Sequence, residues 1–169
     1  MDRILQQSFN FLSPVGNLHI FTEAEFIVSV SFTNDLKPAN YSVENKLILE
    51  SMHQLKAYFT GRLHAFDLPL NPKGTAFQKE VWNILKSIPY GETRSYATVA
   101  ELAGGKQFTR AVGYANANNP IAVIIPCHRV IGSNGSLVGY TGGIRIKKWL
   151  LRHELQHKFG VIELFGPEN

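Results

Sequence analysis

Apolar and polar residues alternate with the short period of β-strands through the first part of the chain. The segments rich in Phe, Ile and Val are Ile4-Leu5, Phe9–Phe11, Leu18–Phe21 and Phe26–Phe32. Turn-forming residues separate these segments, so the pattern predicts short antiparallel strands. Within Phe26–Phe32, alternation places positions 26, 28, 30 and 32 on one apolar face and positions 27, 29 and 31 on the other.

A helical pattern follows and predicts a small sheet covered by one helix. Ser42 is the expected N-cap of a helix over 43–60, and Gly61 suits the position after its last turn. The apolar stripe of this helix comprises Leu47, Ile48, Leu55, Tyr58 and Phe59. Two prolines within Phe66–Gly74 then indicate a linker.

The pattern beyond the linker is mostly helical. Thr75 is the expected N-cap of one helix, and two more are predicted over Ser95–Ala103 and from about residue 107 to residue 116. The latter two, joined by a glycine-containing turn, match a helix-turn-helix whose second helix carries Arg110 in its first turn. Such a pair either binds nucleic acid or only packs, and the pattern alone leaves both possibilities open.

These patterns predict an α+β protein in two parts, a sheet-plus-helix domain over 1–72 and a mostly helical domain over 73–169. The composition, 44% apolar and 18% charged, is that of a globular protein. Residues 1–71 carry 5 Lys and Arg against 7 Asp and Glu, whereas residues 72–169 carry 12 against 6. The basic second part suggests a polyanionic partner, and a merely solvated basic surface is the alternative.

Cys127 is the one cysteine of the chain. A single thiol forms neither an internal disulfide nor a cysteine-rich zinc site. We also expect no other metal site and no cofactor. Met1–Leu5 lacks the apolar segment of a signal peptide, and no stretch reaches the roughly 20 apolar residues of a membrane span. These features predict a cytoplasmic protein without a membrane partner.

The candidate chemistry follows an apolar run. Ile121–Ile125 reads as a short buried strand or extended segment, after which Pro126 introduces a turn that presents Cys127 and His128. A cysteine is nucleophilic as the thiolate, a form that His128 and Arg129 would favour. The alternative is a buried, inert cysteine.

The helix predicted at about 145–157 supplies a partner for that histidine. Its apolar stripe comprises Ile146, Trp149, Leu150 and His153. Glu154 lies at the rim of this stripe, where an inward-facing carboxylate would orient His128; a solvated glutamate is the alternative. His153 is better explained as a packed core histidine. The glycine-rich stretch 132–143 allows close approach of a flat ligand.

At these residues the sequence resembles the O6-alkylguanine-DNA alkyltransferases, also called methylated-DNA–protein-cysteine methyltransferases. The motifs that match, in order, are Phe77–Trp82, Pro89-Tyr90-Gly91-Glu92, Ser95-Tyr96, Arg110–Gly113, Asn119-Pro120, Pro126–Val130, Tyr140–Gly143 and Trp149–Glu154. The match is close over about 75–155. The N-terminal part is similar only in pattern. The resemblance implies a ribonuclease-H-like sheet domain followed by a winged-helix-like domain.

The resemblance also implies a role for each matched site residue. Cys127 would accept the alkyl group, His128 would take its proton through a water, and Glu154 would orient His128. Asn119 would hold the turn behind the cysteine, and Tyr96 would donate a hydrogen bond to the guanine. The residues expected to contact the base or the DNA are Val130 (together with Cys127, by its backbone carbonyl), Tyr140, Thr141, Lys147 and Arg110, the last filling the gap left by the flipped base.

The implied activity is DNA repair by single-turnover transfer of an alkyl group from O6-alkylguanine in double-stranded DNA to Cys127, by a monomer. Whether O4-alkylthymine also reacts is left open. A helix-turn-helix protein that binds alkylated DNA without transfer is the alternative, and the presence of Cys127 argues against it. A thiol redox enzyme would need a resolving cysteine, which the sequence lacks.

Overall fold

The computed structural model describes residues 6–34, 41 and 44–160. Its first elements form an antiparallel sheet in the order β1 (Gln6–Ser13), β2 (Gly16–Glu23) and β3 (Phe26–Thr33). The core side chains of this sheet that are fully buried are Phe9, Leu18, Ile20 and Ile27. The antiparallel strands predicted from the alternating pattern are confirmed, while the predicted strand Ile4-Leu5 lies outside the described residues.

The predicted faces of β3 are wrong at its first two residues. Phe26 is 43% exposed and Ile27 is 0% exposed, the reverse of the expected arrangement. The register explains the reversal: Phe21 of β2 pairs with Ser29 and the next residue, Thr22, pairs with Ile27, so β3 carries an extra residue at this point. Such a bulge moves the preceding side chains to the opposite face.

Helix α1 (Lys46–Phe59) begins later than the sequence predicted. Its N-cap is Asn45, whose side-chain oxygen accepts hydrogen bonds from the backbone N–H groups of Leu47 and Ile48 at 2.9 and 3.3 Å. The expected cap Ser42 lies outside the described residues. Asparagine satisfies exposed helix N–H groups as well as serine does, so composition alone could not place the start.

The chain divides into two compact units, one comprising Met1–Lys73 with Pro120–Ile124 and the other Gly74–Asn119 with Ile125–Asn169. The division predicted at residue 72 lacks this return of 120–124 to the first unit. There the backbone N–H of Val30 donates to the Pro120 carbonyl and that of Ala122 donates to the Val30 carbonyl, both at 2.9 Å. The added segment thus satisfies backbone groups at the free edge of β3.

The second unit is mostly helical. Its elements are α2 (Ala76–Lys86), β4 (Arg94–Ser95), α3 (Tyr96–Leu102), a 3₁₀ turn (Lys106–Phe108), α4 (Thr109–Ala117), a second 3₁₀ turn (Cys127–Arg129), β5 (Val130–Ile131) and α5 (Ile144–Phe159). Strands β4 and β5 pair in parallel. The architecture is the α+β class expected from the sequence.

Local signals placed the helices of this unit well. Thr75 caps α2 as predicted, in a reciprocal arrangement in which Gln78 bonds back to the Thr75 backbone. Ser95 caps α3, and α3, the 3₁₀ turn and α4 form the predicted helix-turn-helix. The buried Trp82 indole donates to the Ala115 carbonyl at 2.9 Å, which ties α2 to α4. In the described part of the chain, no helix combines the length and apolar character needed to cross a bilayer.

Candidate active site

The segment before Cys127 is buried, as predicted, but it turns at Val123 and is neither a strand nor an extended segment. Ile121 alone bridges to Val30, and Val123 has a φ of 70°, a value that β-branched residues rarely adopt. The Ile124 N–H donates to the Ala122 carbonyl at 2.8 Å, closing a tight turn around Val123. Sequence periodicity cannot distinguish a buried turn of this kind from a short strand.

A second tight turn presents the cysteine. The Cys127 N–H donates to the Ile125 carbonyl at 2.8 Å across Pro126, and Cys127 starts the 3₁₀ turn. The same carbonyl accepts a hydrogen bond from Asn119 Nδ2 at 2.8 Å, and Asn119 is itself buried. The structure therefore places Asn119 directly behind the turn that carries the thiol.

The thiol of Cys127 is deeply enclosed, with only 3% of the residue exposed. Burial raises the pKa of the thiol, while a hydrogen bond from Asn119, the charge of Lys147 and nearby backbone amides act in the opposite direction. His128 favours the thiolate through its backbone N–H, and the side-chain charges of His128 and Arg129 are not among the causes that lower the pKa of the thiol. The guanidinium of Arg129 binds Glu154, so its charge is used elsewhere, and His128 is uncharged for reasons given below.

Glu154 is the centre of a buried hydrogen-bonded cluster. Its Oε1 lies 2.8 Å from His128 Nε2, and Arg129 donates to both carboxylate oxygens at 2.9 Å, through Nη2 to Oε1 and through Nε to Oε2. The backbone N–H of Gly91 donates to Oε2 at 2.9 Å. Arg129 also donates through Nη1 to the Ile88 carbonyl at 2.6 Å. The carboxylate thus accepts hydrogen bonds from three residues, Gly91, His128 and Arg129.

The expected position of Glu154 at the rim of α5 needs correction. The residues of α5 that are buried are Lys147, Leu150, Leu151, His153 and Glu154, whereas Ile146 and Trp149 are only half-buried. The buried face is rotated so that both a lysine and a glutamate point inward. Apolar periodicity missed this because the two charged residues are stabilised by tertiary partners.

The charges of the cluster follow from its partners. Burial opposes ionisation of Glu154, but His128 and Arg129 outweigh it and hold the pKa of Glu154 far below its usual value. Burial, together with the charges of Arg129 and Lys147, lowers the pKa of His128 despite the attraction of Glu154. At neutral pH the carboxylate is therefore ionised and the imidazole is neutral.

The neutral imidazole has a defined tautomer. A carboxylate only accepts hydrogen bonds, so the proton is on Nε2 and Nδ1 is the basic nitrogen. Nδ1 is buried and has no hydrogen-bond partner within residues 6–34, 41 and 44–160. One ring nitrogen of His128 is thus anchored by Glu154, and the other is chemically able to accept a proton.

Lys147 is fully buried beneath the glycine-rich stretch. Its Nζ donates to the carbonyls of Val130 at 2.6 Å, Val138 at 2.8 Å and Gly139 at 3.4 Å. Burial lowers the pKa of Lys147 to about 8, with the Cys127 charge acting in the opposite direction. The ammonium group fixes the stretch 138–139 and is the side-chain cation that stabilises a Cys127 thiolate.

Tyr96 and Tyr140 also belong to the surroundings of Cys127 and His128. The Tyr96 hydroxyl donates to the Val138 carbonyl at 3.3 Å and accepts from Asn116 Nδ2 at 3.3 Å. The Tyr140 ring meets the His128 ring edge to face, with centroids 6.4 Å apart. Burial and the Cys127 charge raise the pKa of both tyrosines, so both keep their protons.

Two predicted contact residues lie at the outer side of the unit. Thr141 is exposed, and its hydroxyl donates to the Ala117 carbonyl at 3.0 Å, so it fastens the glycine-rich stretch to the end of α4. Arg110 is exposed in the first turn of α4. Arg110 lines an open pocket of about 930 Å³ together with Phe77, Gln78 and Tyr114. This is a surface suited to an extended partner, unlike the closed surroundings of Cys127.

Comparison with known proteins places this geometry in a family. Residues 76–156 match the family model described as the 6-O-methylguanine DNA methyltransferase DNA binding domain, and residues 11–72 match its ribonuclease-like domain. A methylated-DNA–protein-cysteine methyltransferase from Methanosarcina acetivorans is 47% identical over 148 residues, which cover 85% of this chain and 95% of the relative. One from Mycolicibacterium paratuberculosis is 50% identical over 156 residues, which cover 90% and 94%.

The chain belongs to the methylated-DNA–protein-cysteine methyltransferase family.

Solved structures agree with this assignment. The O6-methylguanine methyltransferase of Mycobacterium tuberculosis matches with a TM-score of 0.79 and 39% identity over 90% of this chain and 94% of that one. A crystal structure of the Mycobacterium tuberculosis protein OGT in complex with DNA also has a TM-score of 0.79, with 41% identity over 88% and 92%. The α+β class and the two-part organisation of a ribonuclease-like and a DNA-binding part are those of the family.

For this methyltransferase, sequence reasoning missed several members of the buried site. Gly91 donates its backbone N–H to Glu154, and Asn116 contacts Tyr96; neither contact has a signature in the pattern of residue types. The ion pair between Arg129 and Glu154 was also missed, although a buried carboxylate near a Cys-His-Arg sequence needs a cationic partner. Over the ranges that the structure describes, no three His, Cys, Asp or Glu residues are grouped as metal ligands.

Proposed function

We propose that this chain repairs double-stranded DNA by transferring an alkyl group from O6 of alkylguanine to the Sγ atom of Cys127. The observation that carries the proposal is the pairing of His128 Nε2 with Glu154, which leaves the basic Nδ1 of a neutral imidazole next in sequence to a buried thiol. A thiol that burial keeps protonated needs such a base at the moment of reaction. Family membership supports the same reaction.

The chemical step is an in-line displacement at an sp³ carbon. Nδ1 of His128 takes the thiol proton through a water, and the charge of Lys147 supports the thiolate. The sulfur forms a bond to the alkyl carbon, and the carbon–O6 bond breaks with its electron pair moving into the purine. Tyr96 donates a hydrogen bond to the ring nitrogen that gains this charge. The resulting thioether has no easy route back to the thiol, so each molecule reacts once.

Glu154 acts through the imidazole. The imidazolium that forms beside an ionised carboxylate is stabilised by an ion pair in a dry surrounding. Arg129 keeps Glu154 ionised throughout, and Asn119 keeps the Cys127 turn in place. These three residues position the base and the nucleophile rather than contact the alkyl group.

Access to the buried sulfur requires the damaged nucleotide to leave the helix stack. O6 of a stacked guanine cannot reach a residue that is 3% exposed, and extruding a base costs a few kcal/mol by general estimates. Arg110, exposed on α4, would fill the gap in the stack. Basic residues of the second part would bind phosphates and make binding salt-sensitive.

The pocket residues would then hold the base. The carbonyl of Val130, besides accepting from Lys147, has a second lone pair for the exocyclic amine of guanine. Tyr140 would pack on the base and Thr141 would approach O6. The Cys127 carbonyl, the other expected acceptor, is already bonded by the Val130 N–H and by Asn116. We propose further that the protein acts as a monomer in the cytoplasm, where its one thiol stays reduced.

The test is an intact mass measurement after incubation with a duplex containing one O6-methylguanine. We expect a gain of one methyl group in place of one hydrogen, mapped by peptide analysis to Cys127. The Cys127→Ala variant is expected to bind the duplex with unchanged affinity and to gain no mass, a complete loss of transfer. Binding of the damaged duplex by the wild-type chain without any mass gain would establish the alternative, a binding protein that does not transfer.

A further inference from the structure

Asn116 connects two groups of the site that the sequence did not link. Its side chain lies near the end of α4 and is 3% exposed. Its Nδ2 atom is 3.3 Å from the Tyr96 hydroxyl oxygen and 3.4 Å from the carbonyl oxygen of Cys127. One amide group therefore spans the proposed hydrogen-bond donor and the backbone of the proposed nucleophile.

The orientation of this amide follows from its partners. The Cys127 carbonyl can only accept a hydrogen bond, so the nitrogen of the amide, and not its oxygen, must face it. The same nitrogen then donates to the Tyr96 hydroxyl, which must accept through its lone pair. The hydroxyl hydrogen of Tyr96 is thereby directed away from Asn116, and in this structure it is given to the Val138 carbonyl.

We infer that Asn116 is a positioning residue for alkyl transfer, which holds the Tyr96 hydroxyl so that its hydrogen is directed at the departing purine. This inference rests on the proposed function, in which Tyr96 is the donor. A hydroxyl that accepts a hydrogen bond becomes a stronger donor in its turn. Burial and the Cys127 charge raise the pKa of Tyr96, whereas the hydrogen bond from Asn116 lowers it. The contact therefore makes the hydroxyl a stronger donor.

The oxygen atom of the Asn116 amide argues against a purely structural role for this residue. Asn116 Oδ1 is buried and accepts no hydrogen bond from any residue in the described ranges. A buried acceptor without a donor reduces stability, so a side chain selected only for packing would be apolar. Leucine, which is similar in size and lacks both polar atoms, should therefore fold as well as asparagine at this position.

The experiment is a double-mutant cycle on the full chain, using Asn116→Leu, Tyr96→Phe and the double variant. The rate constant of methyl transfer is measured at saturating duplex with one O6-methylguanine, together with the duplex concentration for half-maximal rate and the melting temperature. We expect Asn116→Leu to lower the rate constant about fivefold, the typical value of one hydrogen bond, with half-saturation and melting temperature unchanged. In the Tyr96→Phe background the same change should have no effect. Asn83→Leu, at an exposed position of α2, is the matched control.

Each of the other possible results of the cycle would contradict a specific part of the inference. An equal loss of rate in the wild-type and Tyr96→Phe backgrounds would show that Asn116 does not act through the hydroxyl. If that loss disappeared with O6-methylhypoxanthine, which lacks the exocyclic amine, Asn116 would act through the Cys127 carbonyl instead. No loss at all, or a loss that follows the melting temperature, would also overturn the inference. Absence of transfer by the wild-type chain would overturn the proposed function itself.

Discussion

The second unit contains two regions of opposite character, the buried cluster around Glu154 and the exposed face of α4 around Arg110. In the cluster, every oxygen of the carboxylate is bonded, and His128, Arg129 and Glu154 are withdrawn from solvent. On α4, the Arg110 side chain is exposed to solvent, and Tyr114 on the next turn is 67% exposed. The Glu154 carboxylate of the first region is bonded by groups of the protein itself, whereas the second region is exposed to solvent.

On the proposed function, the difference separates binding from chemistry within one compact unit. Charged groups that assist a proton transfer are held in fixed geometry. The exclusion of water strengthens their electrostatic interactions, and the groups do not have to reorient during the reaction. Charges that must meet DNA stay hydrated until they release counterions from it. Variants in the cluster should therefore affect stability and rate, and variants at the exposed positions of α4, such as Arg110, should affect only what happens on a duplex.

The largest effect is expected from Glu154→Gln. The change leaves the Arg129 guanidinium buried without its anion, and breaking one partner of a buried ion pair costs about 3–5 kcal/mol of unfolding free energy. Urea unfolding measures this loss. Glu101→Gln is the control, because its ion pair with Lys106 is exposed and should contribute less than about 1 kcal/mol. Equal losses for the two variants would contradict the view that the buried cluster is a structural centre.

The same cluster predicts a loss of stability in acid. The pKa values of His128 and Glu154 are both lowered in the folded protein, so the unfolded chain takes up protons first as the pH falls. The contribution of His128 is complete above its ordinary pKa of 6.5 and declines below it; that of Glu154 is complete above 4.5 and declines below that. Unfolding free energies measured from pH 7 to pH 3 should fall in this order. In Glu154→Gln the decline below pH 4.5 should be weaker, and an unchanged slope would contradict it.

Local signals in the sequence were sufficient for the helices but not for the cluster. Thr75 was correctly predicted as an N-cap, and the helix predicted from Ser95 begins one residue later, after Ser95 as its cap, because capping depends on neighbouring residues. Glu154 was placed at a rim because its burial depends on Arg129 and Gly91, which are distant in sequence.

Backbone geometry set a second limit on what the sequence could predict. The turn at Val123, with its positive φ, and the bulge near Ile27 both go against the local preference of β-branched residues for regular strands. Residue-type patterns contain no information on either feature, since each is held by contacts made elsewhere in the fold.

An intermediate effect is expected from Lys147→Met. This change removes the side-chain cation that opposes the raised pKa of Cys127, and also the donor to the Val130 and Val138 carbonyls. We expect the rate constant of transfer at saturating DNA to fall about tenfold at pH 7, equivalent to an increase of about one unit in the thiol pKa.

The pH dependence of the rate loss in Lys147→Met tests whether the charge of Lys147 is its cause. Lys147 itself loses its proton near its pKa of about 8, so the wild-type advantage should shrink as the pH rises above 8. Lys86→Met, on the exposed end of α2, is the control and should leave the rate constant unchanged. If the rate loss of Lys147→Met stayed constant from pH 6.5 to pH 9.5, Lys147 would act only by holding the glycine-rich stretch in place.

The smallest effect, and the one that tests the exposed region, is expected from Arg110→Ala. On a duplex with one O6-methylguanine the rate constant should fall several-fold, because nothing fills the stack when the base is extruded and extrusion costs a few kcal/mol. On free O6-methylguanine the rate should not change, since no stack has to open. Arg145→Ala removes the same charge from an exposed site on α5, so it should weaken duplex affinity and its salt dependence without lowering the rate constant at saturation. Equal losses for Arg110→Ala on both substrates would place Arg110 in the chemical step and remove the separation between the two regions.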